Sequence, residues 1–277
     1  MKKMLGALGT VLPLLCLTGP PLAAQDRPWQ RIVIPTYSEA AAQFREPPPE
    51  YGLTIWWWWN GDMTEDEIIR DLRDIKAHNV NSVLLWAYYG LSIEYLSPLW
   101  FERVRFAVDR ARKLDMRIWL MDEGSYPSGF AGGKISKEHP ELRMQVLTSQ
   151  RIPAKAGEPL SIDLPPDTVS VTAVDEAAQK TIPLDGSPGT AIRWTPPQGE
   201  WSVIVVRHEF RTSPTRHVNN PGFKKDTTYS FADSLDPKAT RQFMAYVHEE
   251  YKKHIGDDFG KTVLGFMGDE PSFPGTP

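Results

Sequence analysis

Three apolar runs in this 277-residue chain each end on carboxylates. Leu53 to Trp59 leads into Asn60-Gly61-Asp62, Met116 to Met121 into Asp122-Glu123, and Val263 to Gly268 into Asp269-Glu270. Runs of this length read as buried strands, and the carboxyl ends of parallel strands form the working face of α/β folds. Acids delivered repeatedly to one face suit general acid–base chemistry on a carbohydrate, or a metal-assisted reaction. Glu270 is the sharpest catalytic candidate. Partial burial at a strand end, beside the negative Asp269, would raise its pKa as a general acid requires. Asp269 is read as the neighbour that orients it. Asp122 and Glu123 open the loop Gly124-Ser125-Tyr126-Pro127-Ser128-Gly129, and a shaped loop is a usual carrier of function. Adjacent side chains of an extended strand point to opposite faces. One of the two acids is therefore expected to contact ligand, with Tyr126 nearby, and the other to support.

Asn60 is placed to hydrogen-bond a sugar hydroxyl, whereas Asp62 is expected to cap the next helix at Thr64. Alternation sends Trp56 and Trp58 to one face and Trp57 and Trp59 to the other. Trp59, nearest the strand end, is expected to reach substrate. Among the six histidines, none shows the spacing of a zinc helix. His217 lies in a polar loop that returns towards the site, and His248 and His254 are assigned to the solvent side of an amphipathic helix. Oxygen-rich strand ends suit calcium better than zinc.

The elements that must position these groups alternate. After the tryptophan run, Thr64 with Glu67 has capping-box spacing, and Ile68, Leu72 and Ile75 form a helical stripe. A strand over 80–87 follows, then a helix opened by Ser97-Pro98 with Trp100, Val104, Ala107, Val108 and Ala111 on one face. The third strand is the Met116 run. Such alternation indicates βαβ units and a parallel sheet. No Gly-x-Gly-x-x-Gly follows a strand, which favours a barrel over a dinucleotide fold. Residues 144–210 change texture. Short β-prone runs at 145–152, 160–164, 169–174, 191–194 and 201–210 predict a small antiparallel β-domain inserted on a barrel loop. Asp236-Pro237 then opens a helix with Ala239, Phe243, Val247 and Tyr251 along one side, leading to the fourth strand. The expected fold is α/β, the first four βα units of a (β/α)8 TIM barrel with an inserted antiparallel β-domain. Four strands are half of such a barrel, so the chain is expected to be the N-terminal part of a longer enzyme.

The 31 basic and 35 acidic residues argue against a nucleic-acid partner. Ten tryptophans offer flat apolar platforms of the kind that sugar rings stack on, although aromatic rings are also large core fillers. Lys2 and Lys3, an apolar stretch to about Leu17 and the small pair Ala23-Ala24 resemble a secretory signal. The stretch is too short and interrupted for a good membrane span. The expected organisation is a signal over 1–24, an extended lead-in over 25–50, barrel over 51–143, the insert over 144–210 and barrel again over 211–277. The mature chain would be secreted or periplasmic, with no membrane partner and no cysteine.

The segments Trp57-Trp58-Trp59-Asn60-Gly61-Asp62-Met63-Thr64, Asp122 to Gly133, and Leu235-Asp236-Pro237 through Gly268-Asp269-Glu270-Pro271 together resemble family 106 of the glycoside hydrolases, the α-L-rhamnosidases and their relatives. The resemblance covers most of 51–273. It implies a secreted, multidomain enzyme with a (β/α)8 catalytic domain that hydrolyses terminal α-L-rhamnosides of an oligosaccharide or polysaccharide with inversion. It also implies a calcium ion near the sugar hydroxyls. Inversion uses two carboxyls about 6.5–9.5 Å apart, one as acid and one activating water. Glu270 falls at a carboxylate-bearing strand end of that face and suits either role. The competing expectations are a non-catalytic carbohydrate-binding protein and an inactive truncated reading frame.

Overall fold

The structure, a computed structural model, describes residues 34–124, 127–211 and 230–270. The expected signal segment, Tyr126 and His217 lie outside the described residues. In the lead-in, a helix α1 (Tyr37–Gln43) stands where an extended chain is expected. Its cause is local. Thr36 Oγ1 accepts from the Glu39 N–H while the Glu39 carboxylate accepts from the Thr36 N–H, a complete capping box ahead of three alanines. None of its residues is buried.

Three strands alternating with two helices follow: β1 (Thr54–Gly61), α2 (Glu65–Ala77), β2 (Ser82–Leu91), α3 (Pro98–Lys113) and β3 (Arg117–Met121), then a loop with the short helix α4 (Lys134–Glu138). The next elements are antiparallel strands: β4 (Gln145–Lys155), β5 (Leu160–Asp163), β6 (Thr168–Asp175), β7 (Lys180–Pro183), β8 (Ala191–Trp194) and β9 (Glu200–Phe210). The chain returns through α5 (Pro237–Tyr246) and α6 (His248–Ile255) to β10 (Val263–Met267). The fold is therefore mixed α/β, with one parallel sheet and two antiparallel ones among the described residues.

The parallel sheet has the order β1-β2-β3-β10, every neighbouring pair parallel. Alternation along its strands separates two faces. Trp57, Trp59, Val83, Leu85, Ile118, Leu120 and Val263 point to one side, where Ile68 and Leu72 of α2, the buried stripe of α3, and Val247, Tyr251 and Ile255 from the α5–α6 region complete a single core. The other face carries Leu84, Trp86 and Met121 with Tyr88 and Trp119. It also carries the half-exposed Trp56 and Trp58. Helices thus cover one face alone among the described residues, whereas a doubly wound sheet is covered on both.

The helix expected after Asp236 is two helices. The Asp236 side chain caps the first by accepting from the Lys238 N–H, and the chain breaks at Val247 (φ −109°, ψ −73°). Ala239, Val247, Tyr251 and Ile255 stay buried across the break.

Strands β4–β9 have a core of their own, including Ile162, Val171, Ala173, Ile192, Trp201 and Val203. They form a four-stranded sheet β4-β9-β6-β7 and a two-stranded sheet β5-β8. Strand β7 is absent from the sequence expectation because Lys180–Pro183 is short and mostly exposed. It lies at a sheet edge, where a terminal proline is tolerated. Gln145 pairs with Phe210, so the two ends of this segment lie side by side.

Candidate functional site

The loop after β3 is organised from within by one carboxylate. Glu123 is fully buried. Its Oε1 accepts from the N–H groups of Gly124 and Gly132, both at 2.9 Å. Its Oε2 accepts from those of Gly129 at 3.3 Å, Phe130 at 2.6 Å and Ala131 at 2.7 Å. Five backbone donors converge on one side chain because the chain wraps around it. Gly129 (φ 124°) makes that wrap possible, since a Cβ there would stand 2.9 Å from the Phe231 Cβ. Burial pushes the Glu123 carboxyl up to about 7, and the surrounding N–H groups pull against that rise. Of the two adjacent acids, Glu123 is the one that supports. With no exposed surface and both oxygens taken by backbone, it supports the loop.

Asp122 is buried beside it and faces elsewhere. Its Oδ1 accepts from the Ser128 hydroxyl at 2.6 Å. The Ser128 Oγ in turn accepts from the Asp269 N–H at 2.7 Å, and the Ser128 N–H donates to the Asp269 carbonyl at 2.8 Å. The Asp122 N–H donates to the Met267 carbonyl at 3.1 Å. The ends of adjacent strands β3 and β10 are thus tied side chain to backbone. Burial raises the Asp122 pKa against the Ser128 hydrogen bond. Asp269, half-buried, is raised by burial and by the negative charges of Glu270 and Asp122. The burial expected at Glu270 falls on Asp269 instead. Glu270 is exposed and has φ of +33°, unusual for a residue with a side chain.

A cavity of about 210 Å³ opens next to this junction, lined by Asp122, Ser128, Met144, Phe231, Thr240 and Phe243 among others. His248 stands behind the same strand ends, its ring 4.5 Å from that of Phe266 and 5.8 Å from that of Phe243. Burial lowers its pKa and the charge of Asp122 opposes that. Its Nδ1 is buried with no hydrogen-bond partner. The solvent-side assignment of His248 is thereby corrected, and likewise that of His254, which stacks on Phe101 at 4.1 Å. The signal in the sequence for the half-buried position of His248 is its place next to Val247 on the apolar stripe.

The tryptophan strand also departs from expectation. Trp59 is fully buried, edge-on to Trp57 at 5.3 Å and Trp100 at 5.2 Å. It faces the helices, so the substrate contact expected of it is corrected. The opposite face keeps Trp56 and Trp58 at 48% and 46% exposure. Trp58 stacks on Tyr88 with ring centres 4.6 Å apart and planes 9° apart. Trp86 lies 5.1 Å from Trp56 with its indole N–H buried and unpartnered. Asn60 is exposed two residues beyond Trp58. Asp62 is not the cap of the following helix: the Thr64 N–H donates to Glu67 Oε2 at 2.7 Å.

Among the described residues, no group of three or more His, Cys, Asp or Glu side chains is placed to hold a metal ion.

No family model matches the sequence, and no curated protein matches it either. Among solved structures, a rhamnosidase from Novosphingobium sp. PP1Y is similar with a TM-score of 0.44 and 12% sequence identity, over 81% of this chain and 38% of that one. The chain thus spans well under half the length of that enzyme.

Proposed function

We propose that this chain is the N-terminal portion of an exported glycosidase of the α-L-rhamnosidase type, comprising the first four βα units of a (β/α)8 catalytic domain with strands β4–β9 as an inserted module. The observation that carries the reading is the junction of β3 and β10. Two adjacent parallel strands end on Asp122 and on Asp269-Glu270, tied through Ser128, and the same sheet presents the Trp58–Tyr88 pair on its helix-free face. Helix cover on one face, with strands in sequential order, is the arrangement a barrel wall requires. Glu270 is the reacting carboxyl and Asp269 its neighbour. Asn60 and the Trp58–Tyr88 pair contact the sugar, the ring's C–H face lying on the aromatic surface and its hydroxyls seeking polar groups. No step is routed through calcium. Among the described residues no helix is long and apolar enough to cross a membrane, and export rests on the N-terminal signal-like segment.

A second reading, carbohydrate binding without turnover, is favoured by the same half-exposed aromatic pair. Release of nitrophenol from 4-nitrophenyl α-L-rhamnoside, with the anomer of the sugar product followed by NMR, separates the two. Turnover with inversion supports the glycosidase. Rhamnoside binding by calorimetry without turnover supports the second reading, and neither result excludes both. Trp58→Ala is expected to weaken rhamnoside binding about tenfold, or about 1.4 kcal/mol. Its thermal midpoint should stay close to that of the parent, because the ring is half-exposed and lies outside the main core. An unchanged affinity would remove the aromatic pair from the sugar site.

A further inference from the structure

The residues around Ser128 form more than a loop contact. Glu123 gathers the backbone of residues 124–132 about its carboxylate and so fixes the loop that carries Ser128. Ser128 then makes three hydrogen bonds outwards. Its hydroxyl donates to Asp122 at the end of β3, the same oxygen accepts from the Asp269 N–H, and its own N–H reaches the Asp269 carbonyl. Both backbone groups of Asp269 are thereby held by one serine. The next residue, Glu270, has a backbone conformation that is unfavourable for a side-chain-bearing residue and persists only where neighbours over-determine it. Its φ of +33° follows directly on the residue held at both N–H and C=O.

We propose that Asp122 and Ser128 are positioning residues: a clasp that joins the ends of β3 and β10 and holds the Asp269-Glu270 segment in its strained pose, without either side chain touching the sugar. The catalytic consequence rests on the glycosidase reading above. The clasp itself does not. The reason for a serine is chemical. One hydroxyl must donate to a carboxylate and accept from an amide at once, which Ala, Val or Cys does not reproduce. The acceptor oxygen at position 122 orients the serine proton, leaving the Oγ lone pair to the Asp269 N–H.

Asp122 has a second effect on the segment through charge. Asp269 is faced by Glu270 on its own element and by Asp122 from β3. Asp122 is faced by His248 from α6, and His248 by Glu249. Asp122→Asn keeps an oxygen for the Ser128 hydroxyl but removes one negative neighbour of Asp269.

The test compares the full chain with Ser128→Ala, Ser128→Thr and Asp122→Asn. The activity-independent readout is hydrogen exchange at the Asp269 amide. Ser128→Ala is expected to reduce its protection about tenfold or more, in line with the loss of a hydrogen bond to a buried group. Ser128→Thr, which keeps the hydroxyl, is expected to restore it. With 4-nitrophenyl α-L-rhamnoside, Ser128→Ala should lower kcat about tenfold while KM changes by less than about twofold, the signature of an interaction felt in the transition state alone. Asp122→Asn should keep the exchange protection and move the Asp269-linked limb of the pH profile to lower pH. Unchanged exchange in Ser128→Ala overturns the clasp. A raised KM with kcat intact overturns the positioning role and makes Ser128 a sugar ligand. If neither this chain nor a longer protein that contains it hydrolyses a glycoside, the glycosidase reading falls, and the exchange result still decides the clasp.

Discussion

Glu123→Ala is expected to lower the free energy of unfolding by about 3–5 kcal/mol, the scale seen when one partner of a buried charged network is removed. The carboxylate is fully buried and accepts five backbone N–H groups. An alanine leaves those donors facing each other across a void, and each unsatisfied buried donor costs about 1–3 kcal/mol. Relaxation of the loop into water recovers part of that, at the expense of its fixed shape. Urea unfolding gives the global figure, and amide exchange at Gly129, Phe130, Ala131 and Gly132 reports the local one. Loss below about 1 kcal/mol would mean that the loop does not depend on this side chain. The same group makes stability depend on pH. Its pKa rises from 4.5 to about 7 on folding, so the folded state binds the proton more tightly than the unfolded state. The associated stabilisation is complete below pH 4.5 and is lost as pH rises through 7. Glu123→Gln should remove that slope from a plot of urea midpoint against pH.

Under the glycosidase reading, Glu270→Gln is expected to reduce kcat about a thousandfold, within the range for removing a positioned acid or base. The amide keeps the shape and the hydrogen-bonding oxygen but does not exchange a proton at the working pH. KM should move little, because the change is felt where charge and proton shift. Glu270 is exposed, so the unfolding free energy should stay within about 0.5 kcal/mol of the parent. Asp269→Asn is the informative control. Asp269 is half-buried and its backbone is held by Ser128, so its loss should cost less activity than that of Glu270 if it only orients. Full activity in Glu270→Gln would take the reacting role from this residue and move attention to Asp269.

The periodic part of the fold was legible. The stripe Trp100, Val104, Ala107, Val108 and Ala111 is the buried face of α3, and Thr64 with Glu67 caps α2 as their spacing indicated. Alternation also divided the tryptophans into the pairs that the structure contains. What alternation does not contain is which pair faces the helices. That depends on where α2 and α3 pack, a tertiary fact, so position along the strand points Trp59 to the sugar although it belongs to the core. The acids show the same limit. Adjacent carboxylates at a strand end announce a special site, but only the wrap of residues 124–132 reveals that Glu123 binds its own backbone. No periodic signal marks that wrap, because it is made by glycine conformations and N–H directions. The side His248 takes is hidden for a related reason: the sequence indicates one helix where Val247 interrupts two, and the interruption decides what the imidazole faces.

The placement of β4–β9 between β3 and β10 bears on how the chain folds. Pairing β10 with β3 closes a loop of about 140 residues, a slow event if the intervening chain is still random. Strands β4 and β9 shorten it. Once the antiparallel sheets have formed around their own core, Gln145 and Phe210 lie together, and the effective loop loses the whole length between them. Assembly of the β3–β10 junction is then expected to follow formation of the antiparallel module, an order that stopped-flow refolding would read. A lesion deep in that module, such as Val203→Asp, would slow the arrival of Asp269 at Ser128 while touching neither.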